Sequence, residues 1–306
     1  MDKNTLKHLI IYHNDCSDGF TSAAIAYKSL LRSVPVSQIQ QIPGVYGEAP
    51  PDTTNSVVYL VDFSYSLDTI KDMLKVAHSV YFIDHHITAF NSLKEIINNP
   101  EQYPNFYNHW SNANSGAMLT WMHFNGCKPA PDLVAYVEDR DLWTWKLPYT
   151  NEYLMALELY DFTLDTYITH LNDSVYQIKK QHTKDLINQG TVVFKYYQKL
   201  VENICTSAYF VDYCDFKNVP IVNCTSRFSS HVGNQLAKNN PLLFSIMYQI
   251  HGDDVHLSFR SVDTGVDVSE IAKSLGGGGH RNASGAKISL QLFTNLFKLA
   301  KGSLDD

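Results

Sequence analysis

Tyr81-Phe82-Ile83-Asp84-His85-His86 is the stretch that decides how the rest of this chain is read. An aromatic and aliphatic run passes directly into an acid and two imidazoles, and there the pattern stops. A buried strand of this kind ends at the carboxyl edge of its sheet, where open α/β folds place their ligand crevices. Asp beside His suits a hard-to-borderline divalent cation such as Mn²⁺ or Zn²⁺. Two earlier runs end the same way. Leu9-Ile10-Ile11-Tyr12 leads into His13-Asn14-Asp15-Cys16-Ser17-Asp18-Gly19, and Val57-Val58-Tyr59-Leu60-Val61 leads into Asp62. Short apolar, β-branched runs bounded by polar residues read as buried strands. Helical patterns follow over 20–31 and 67–77. Such alternation predicts a parallel sheet with right-handed crossovers, its carboxyl ends all on one edge. His13, Asp15, Asp18, Asp62, Asp84, His85 and His86 are then expected to converge on one crevice.

At 306 residues the chain has length for two cores, and its 44% hydrophobic and 18% charged composition is that of an ordinary globular protein. No run approaches the ~18 apolar residues that span a bilayer. Met1-Asp2-Lys3-Asn4 leads straight toward a strand without a signal-peptide core, and the five cysteines include no Cys-x-x-Cys pair. Both features lead us to expect a reduced, cytoplasmic protein with no membrane partner. The net charge of −7 argues against a broad surface for long nucleic acid, although two bound divalent cations would bring it to −3. A short or small phosphorylated substrate stays compatible with that charge.

The expected class is α/β: a parallel-sheet N-terminal lobe with flanking helices over 1–150, a helical connector over 151–205, and a smaller α/β lobe over 206–306. In the first lobe, a buried helix over 115–124 ends at Asn125-Gly126. A second begins at Pro131 and runs to Glu138-Asp139-Arg140-Asp141. The connector shows helical spacing from Ile178 to Val201 and reads as one long helix from about Asn172, aromatic-rich enough to suit a homodimer. Strand-like runs then recur at 220–223, 242–248, 255–259 and 286–290, with helices at 230–237 and 268–274.

A two-metal site needs a bridging carboxylate, several terminal ligands and open positions for water and substrate. Asp62 is the natural bridge. His13, Asp15, Asp18 and His85 are terminal candidates, and Asp139 is a sixth, with Asp141 left open as its alternative. Asp84 suits the role of orienting a ligand histidine through its other ring nitrogen, and His86 that of facing the substrate. Taken singly, Asp15 and Asp18 also suit helix caps, and Asp139 and Asp141 also suit pairing with Arg140 or Lys146. In the last lobe Gly276-Gly277-Gly278-Gly279-His280-Arg281 reads as an anion-binding turn, with a flexible linker as the plainer reading. Arg260, at the end of a strand, suits a bidentate phosphate contact. Of the many aromatics, Phe228 is one that could stack on a base.

These motifs, in this order, resemble the DHH-family phosphoesterases, named for a triplet matching Asp84-His85-His86. The matching segments are His13-x-Asp15-x-x-Asp18-Gly19, the lone Asp62, the triplet, Glu138-Asp139-Arg140-Asp141, and 276–280 with Ala283-Ser284-Gly285. The acids of the first motif stand one residue further apart than is common in the family. The resemblance implies a bilobed, usually Mn²⁺-dependent enzyme that cleaves phosphoesters between its lobes. By motif position, His13, Asp15, Asp18, Asp62, His85 and Asp139 correspond to metal ligands, and His86 to the contact with the scissile phosphate. Arg260, Gly278, Gly279 and His280 match substrate-holding positions, with Arg281 adjoining. The wording around Gly19 is most similar to the branch that degrades very short RNA. The expectation is a phosphodiesterase releasing mononucleotides from short single-stranded oligonucleotides with two Mn²⁺. Cyclic dinucleotides, nucleoside 3′,5′-bisphosphates and a non-catalytic nucleotide-binding role are the alternatives.

Overall fold

The computed structural model describes residues 6–14, 16–172 and 178–297. Asp15, the lead-in from Met1 to Asn4 and residues 173–177, near the expected start of the long helix, lie outside the described residues. The chain forms two compact units, Met1–Phe194 and Lys195–Asp306.

The first unit runs β1 (Lys7–His13), α1 (Ser17–Leu30), β2 (Ile39–Gly44), β3 (Ser56–Val61), α2 (Leu67–Val76), β4 (Ser79–Ile83), α3 (Ile87–Ser92), α4 (Lys94–Ile97) and β5 (Phe106–Asn108). Helices α5 (Gly116–Asn125), α6 (Asp132–Asp141), α7 (Thr150–Leu157) and α8 (Leu164–Asn172) follow, and α9 (Ile178–Thr206) runs on into the second unit. The five strands form one sheet in the order β2-β1-β3-β4-β5, parallel throughout. Every residue of β3 is buried, as its Ser-Val-Val-Tyr-Leu-Val sequence requires of a strand covered on both faces. Alternation divides the sheet between two cores. Ile10, Tyr12, Tyr59 and Val61 pack with α1, α5, α6, α7 and α8, while Leu9, Ile11, Val58, Leu60 and Phe82 pack with Ile70 and Met73 of α2 and Ile96 of α4. The connections from β1 go first to β2 on one side and then across to β3 on the other. The switch point of this open sheet therefore lies between the carboxyl ends of β1 and β3, where a crevice is built in.

The second unit adds β6 (Tyr209–Tyr213), β7 (Phe216–Asn223), α10 (Ser226–Lys238), β8 (Phe244–His251), β9 (Asp254–Ser261), α11 (Val268–Ser274), β10 (Gly278–His280), β11 (Ala283–Ser289) and α12 (Leu290–Leu296). Its sheet has the order β10-β11-β9-β8-β7-β6, with only β7 and β8 parallel. Phe244, Ile246, Leu257 and Phe259 pack with Val268 and Ala272 of α11 and Phe293 of α12. Phe228 packs flat on Tyr197 of α9, their ring centroids 5.1 Å apart.

The tetraglycine departs from its expected form. It is not an open turn: Gly278, Gly279 and His280 pair antiparallel with Gly285, Ser284 and Ala283. A Cβ on Gly277 would meet the Gly285 carbonyl oxygen at 2.0 Å, so the backbones approach too closely for any side chain.

Candidate active site

The carboxyl ends of β1, β3 and β4 bring their polar residues together. Asp62 directly follows β3 and is 1% exposed, in the left-handed region at φ 54°. Its amide donates to the Ile83 carbonyl at 3.0 Å, which ties this strained residue to the end of β4. Neither carboxylate oxygen has a hydrogen-bond partner. Three imidazoles surround it instead: His85 Nε2 at 3.3 Å from Oδ1, His13 Nδ1 at 3.6 Å from Oδ2, and His86 Nδ1 at 3.8 Å from Oδ1. Burial opposes ionisation of Asp62, yet the neighbouring histidines hold its pKa below the usual carboxylate range.

His85 connects this carboxylate to two more, its Nε2 lying 3.8 Å from Asp18 Oδ2 and 3.5 Å from Asp141 Oδ2. Asp18 belongs to α1 but caps α5, accepting from Gly116 N at 2.6 Å and Ala117 N at 2.8 Å. A Cβ on Gly116 would stand 2.6 Å from Asp62 Cβ and 3.0 Å from Asp18 Oδ2, so only glycine lets α5 start against both acids. Burial, then the charges of Asp62 and Asp141, push the Asp18 carboxyl well above its ordinary pKa. Burial and Asp62 raise Asp141 as well. Burial disfavours a charged His85, but the Asp62 carboxylate 3.3 Å away and the charges of Asp141 and Asp18 carry it up to about 10.

Asp84 is fully buried and acts as a local clamp. Its Oδ1 accepts from His85 N at 2.7 Å, His86 N at 3.2 Å and His86 Nδ1 at 2.7 Å. The ring it orients is thus His86, the residue expected to face substrate, rather than a histidine of the ligand set. Burial opposes charge on His86 as well, and Asp84 outweighs it, raising the imidazole to about 9.

Each residue of the Glu138-Asp139-Arg140-Asp141 motif does something different. Glu138 Oε1 accepts from Asn114 Nδ2 at 2.9 Å and Ser115 N at 3.4 Å, just before α5. Arg140 Nη2 donates to Ser17 Oγ at 2.9 Å at the start of α1. Asp141 faces His85. Asp139, expected as the sixth ligand, is not brought to the cluster, and that expectation is corrected. Its carboxylate is taken up by Thr144 Oγ1 at 2.6 Å, Lys146 N at 2.7 Å, Leu147 N at 3.2 Å and Thr150 Oγ1 at 2.5 Å.

Two contributors escaped the sequence reading. Cys16 Sγ shares a cluster with His13 and Asp62, its thiol pushed well up by burial and by Asp62. The tyrosine after β2, Tyr46, sets its ring edge-on to His13 with centroids 5.4 Å apart. The extra residue between Asp15 and Asp18 was the one sign that Cys16 had a place of its own.

The donor set fits divalent cations. Among the described residues, Asp62, Asp84, His85 and His86 form one cluster within ligand reach, His13, Cys16 and Asp62 a second, and Asp18, His85 and Asp141 a third. Asp62 and His85, which belong to the first, join it to the other two. The unpartnered oxygens of Asp62 and the mutual repulsion of Asp18, Asp62 and Asp141 are what a cation would satisfy.

In the second unit Arg260 is not the surface ion pair that the sequence also allowed. Its guanidinium donates to the Phe259 carbonyl at 2.9 Å and Ser230 Oγ at 3.1 Å, and burial lowers its pKa to about 10. Arg281 is spent on local ties, to the Gly265 carbonyl at 2.8 Å, the Asp263 carbonyl at 3.3 Å and Asp267 Oδ2 at 3.6 Å.

Comparison with known proteins agrees with this architecture. The DHHA1 domain family matches residues 221–305. An uncharacterised protein, R106 of Acanthamoeba polyphaga mimivirus, is 30% identical over 297 residues, covering 92% of this chain and 67% of that protein. Oligoribonuclease NrnB of Bacillus subtilis is 41% identical over 75 residues, 24% of this chain and 18% of its own length. Two solved structures share the fold. The pGpG-specific phosphodiesterase PggH of Vibrio cholerae superposes with a TM-score of 0.51 at 16% identity, covering 94% of this chain and 95% of its own. RecJ of Thermus thermophilus, solved with Mn²⁺, gives 0.54 at 14% identity over 95% of this chain and 51% of its own. The chain belongs to the DHH family of phosphoesterases.

Proposed function

We propose that the protein is a divalent-metal-dependent phosphodiesterase that hydrolyses short oligonucleotides to mononucleotides, with Mn²⁺ as its metal and the cytoplasm as its setting. The observation that carries the reading is the Asp62 carboxylate, buried, without a hydrogen-bond donor and ringed by three imidazoles. The name of the oligoribonuclease relative supports an oligonucleotide substrate, and five free cysteines support a reducing compartment.

In the proposed assignment His13, Asp18, Asp62, His85 and Asp141 hold the metals, with Asp62 shared. Asp15 stays in the set on its motif alone. Bound divalent cations supply Lewis-acid charge neutralisation and acidify an attacking water. The chain's own part is to orient and to donate. Asp84 fixes the His86 ring through Nδ1, so that its Nε2 is the atom assigned to a phosphate oxygen. Asp18, by capping α5, holds that helix and the metal-binding acids as one rigid piece. In the second unit Arg260, Gly278, Gly279 and His280 are the proposed substrate contacts. A half-buried guanidinium with only neutral hydrogen-bond partners among the described residues is suited to an anionic ligand. Arg281, tied elsewhere, is not carried into this set.

The test is release of mononucleotides from a labelled RNA dinucleotide with Mn²⁺, beside longer RNA and DNA, a cyclic dinucleotide and a nucleoside 3′,5′-bisphosphate. D62A is expected to lower turnover by about 10²–10³-fold or more while keeping a cooperative melt. Turnover of only the cyclic dinucleotide or bisphosphate would move the substrate assignment, and full activity in D62A would remove Asp62 from the chemistry.

A further inference from the structure

Asp139, excluded from the metal cluster, organises the loop that leaves α6. That carboxylate, 4% exposed, binds two backbone amides and two threonine hydroxyls between residues 144 and 150. The Asp139 carbonyl also accepts from Thr144 N at 2.9 Å. What the loop displays is Leu142-Trp143-Thr144-Trp145-Lys146-Leu147-Pro148-Tyr149, rich in large rings and without an acid. Trp143, Leu147 and Tyr149 are 36%, 39% and 57% exposed. Trp143, Trp145 and Tyr149 hold left-handed backbone at φ 56°, 52° and 67°. Bulky residues adopt that region only when their surroundings force it, and such strain gathers at functional sites. The edge of Trp145 meets the Trp143 ring at 77°, with centroids 4.8 Å apart, which fixes the plane of the exposed indole.

The chain places this loop beside the candidate site. Trp143 follows Asp141 by two residues, at most ~7 Å of chain. Asp141 Oδ2 in turn lies 3.5 Å from His85 Nε2. A nucleotide whose phosphate sits at the metals held by Asp141 and His85 carries its base one sugar away, within the reach that this short stretch of chain allows. We propose that loop 142–149 is a base-stacking platform for the nucleotide adjoining the scissile phosphate, with Trp143 as the stacking ring and Trp145 as its buttress. The inference rests on the phosphodiesterase reading and deepens it. A flat aromatic face accepts any base, so the platform grips short substrates without reading their sequence.

The experiment measures Mn²⁺-dependent hydrolysis by wild type, W143A and W143F. The substrates are a ribodinucleotide and two analogues, each with one nucleoside made abasic. W143A is expected to raise KM for the intact dinucleotide about 5- to 100-fold with kcat little changed, the range of one base–aromatic stack. W143F should keep most of the wild-type KM. One abasic analogue should show the raised KM already in wild type and gain nothing further from W143A. Equal KM for wild type and W143A on the intact dinucleotide, or an equal W143A penalty on both abasic analogues, overturns the platform. So does a W143A effect confined to self-association in sedimentation, which would make these rings an interface between copies. A binding arm separates the two readings. AMP added to the metal-free protein should quench tryptophan emission in wild type and W145F but not in W143F. Quenching of that pattern without any dinucleotide turnover would sink the phosphodiesterase reading and leave the platform standing. Turnover with neither quenching nor a KM effect would do the reverse.

Discussion

His123 of α5 stands among aromatic rings, with centroids of His109, Phe124 and Tyr81 at 4.5, 4.7 and 5.4 Å. Burial, and then the neighbouring His109, lowers its pKa from 6.5 to about 4. Between those values the unfolded chain binds a proton that the folded chain refuses. This contribution to stability is therefore complete above about pH 6.5 and is lost as pH falls toward 4. Replacing His123 with Phe should flatten the stability profile in that window, read as denaturation midpoints at pH 4.5 and 7. An unchanged slope would remove His123 as its source. Asp141 supports a second expectation at this scale. D141N should weaken Mn²⁺ binding by tenfold or more, the scale of a lost charged ligand, while D139N should chiefly lower the melting temperature. The reverse pattern would return Asp139 to the ligand set. Asp62, Asp84, His85 and His86 were legible in the sequence because a strand end fixes direction: whatever follows a buried run emerges at the sheet edge. Asp139 and Asp141 were not separable. Two residues on a helix point about 200° apart, and only the loop at 142–150 decides which one it claims.

Among elements, what the sequence shows and what it hides follows strand position. The runs in β1, β3, β4, β7, β8, β9 and β11 were legible, since interior strands must be apolar to be covered. The four that went unread, β2, β5, β6 and β10, are the four edge strands of the two sheets. An edge strand has one paired side and needs no continuous apolar run, so Ile39–Gly44 can carry two glutamines and a proline, and Gly278–His280 almost no side chain. The long helix gives a prediction of its own. A Cβ on Gly190 of α9 would stand 1.6 Å from the Glu152 carbonyl oxygen in α7, a clash with backbone that no rotamer change relieves. G190A should destabilise the first unit by about 1–3 kcal/mol in urea unfolding, although alanine is the better helix former. A stabilising G190A would show that the two helices are not so closely packed. A lone glycine inside a helical pattern was the available signal for that contact.

For the whole molecule, the acidic balance of −7 gains a physical meaning, because Asp18, Asp62, Asp84 and Asp141 are gathered in one place. Spread over the surface, those charges would repel nucleic acid; concentrated, with Asp18, Asp62 and Asp84 buried, they answer to cations. Among the described residues no helix is long and apolar enough to cross a membrane. The second unit, with Arg260 and the glycine strand, was recognisable by motif, but Gly278 and Gly279 of its four glycines pair in a sheet where a turn was expected. The account depends most on the switch point between β1 and β3 taking up metal through Asp62. Equilibrium dialysis of the metal-stripped protein against Mn²⁺ tests this directly. Two ions per chain are predicted for wild type, and at least one should be lost in D62N. No uptake by wild type, or the same two ions in D62N, would contradict it.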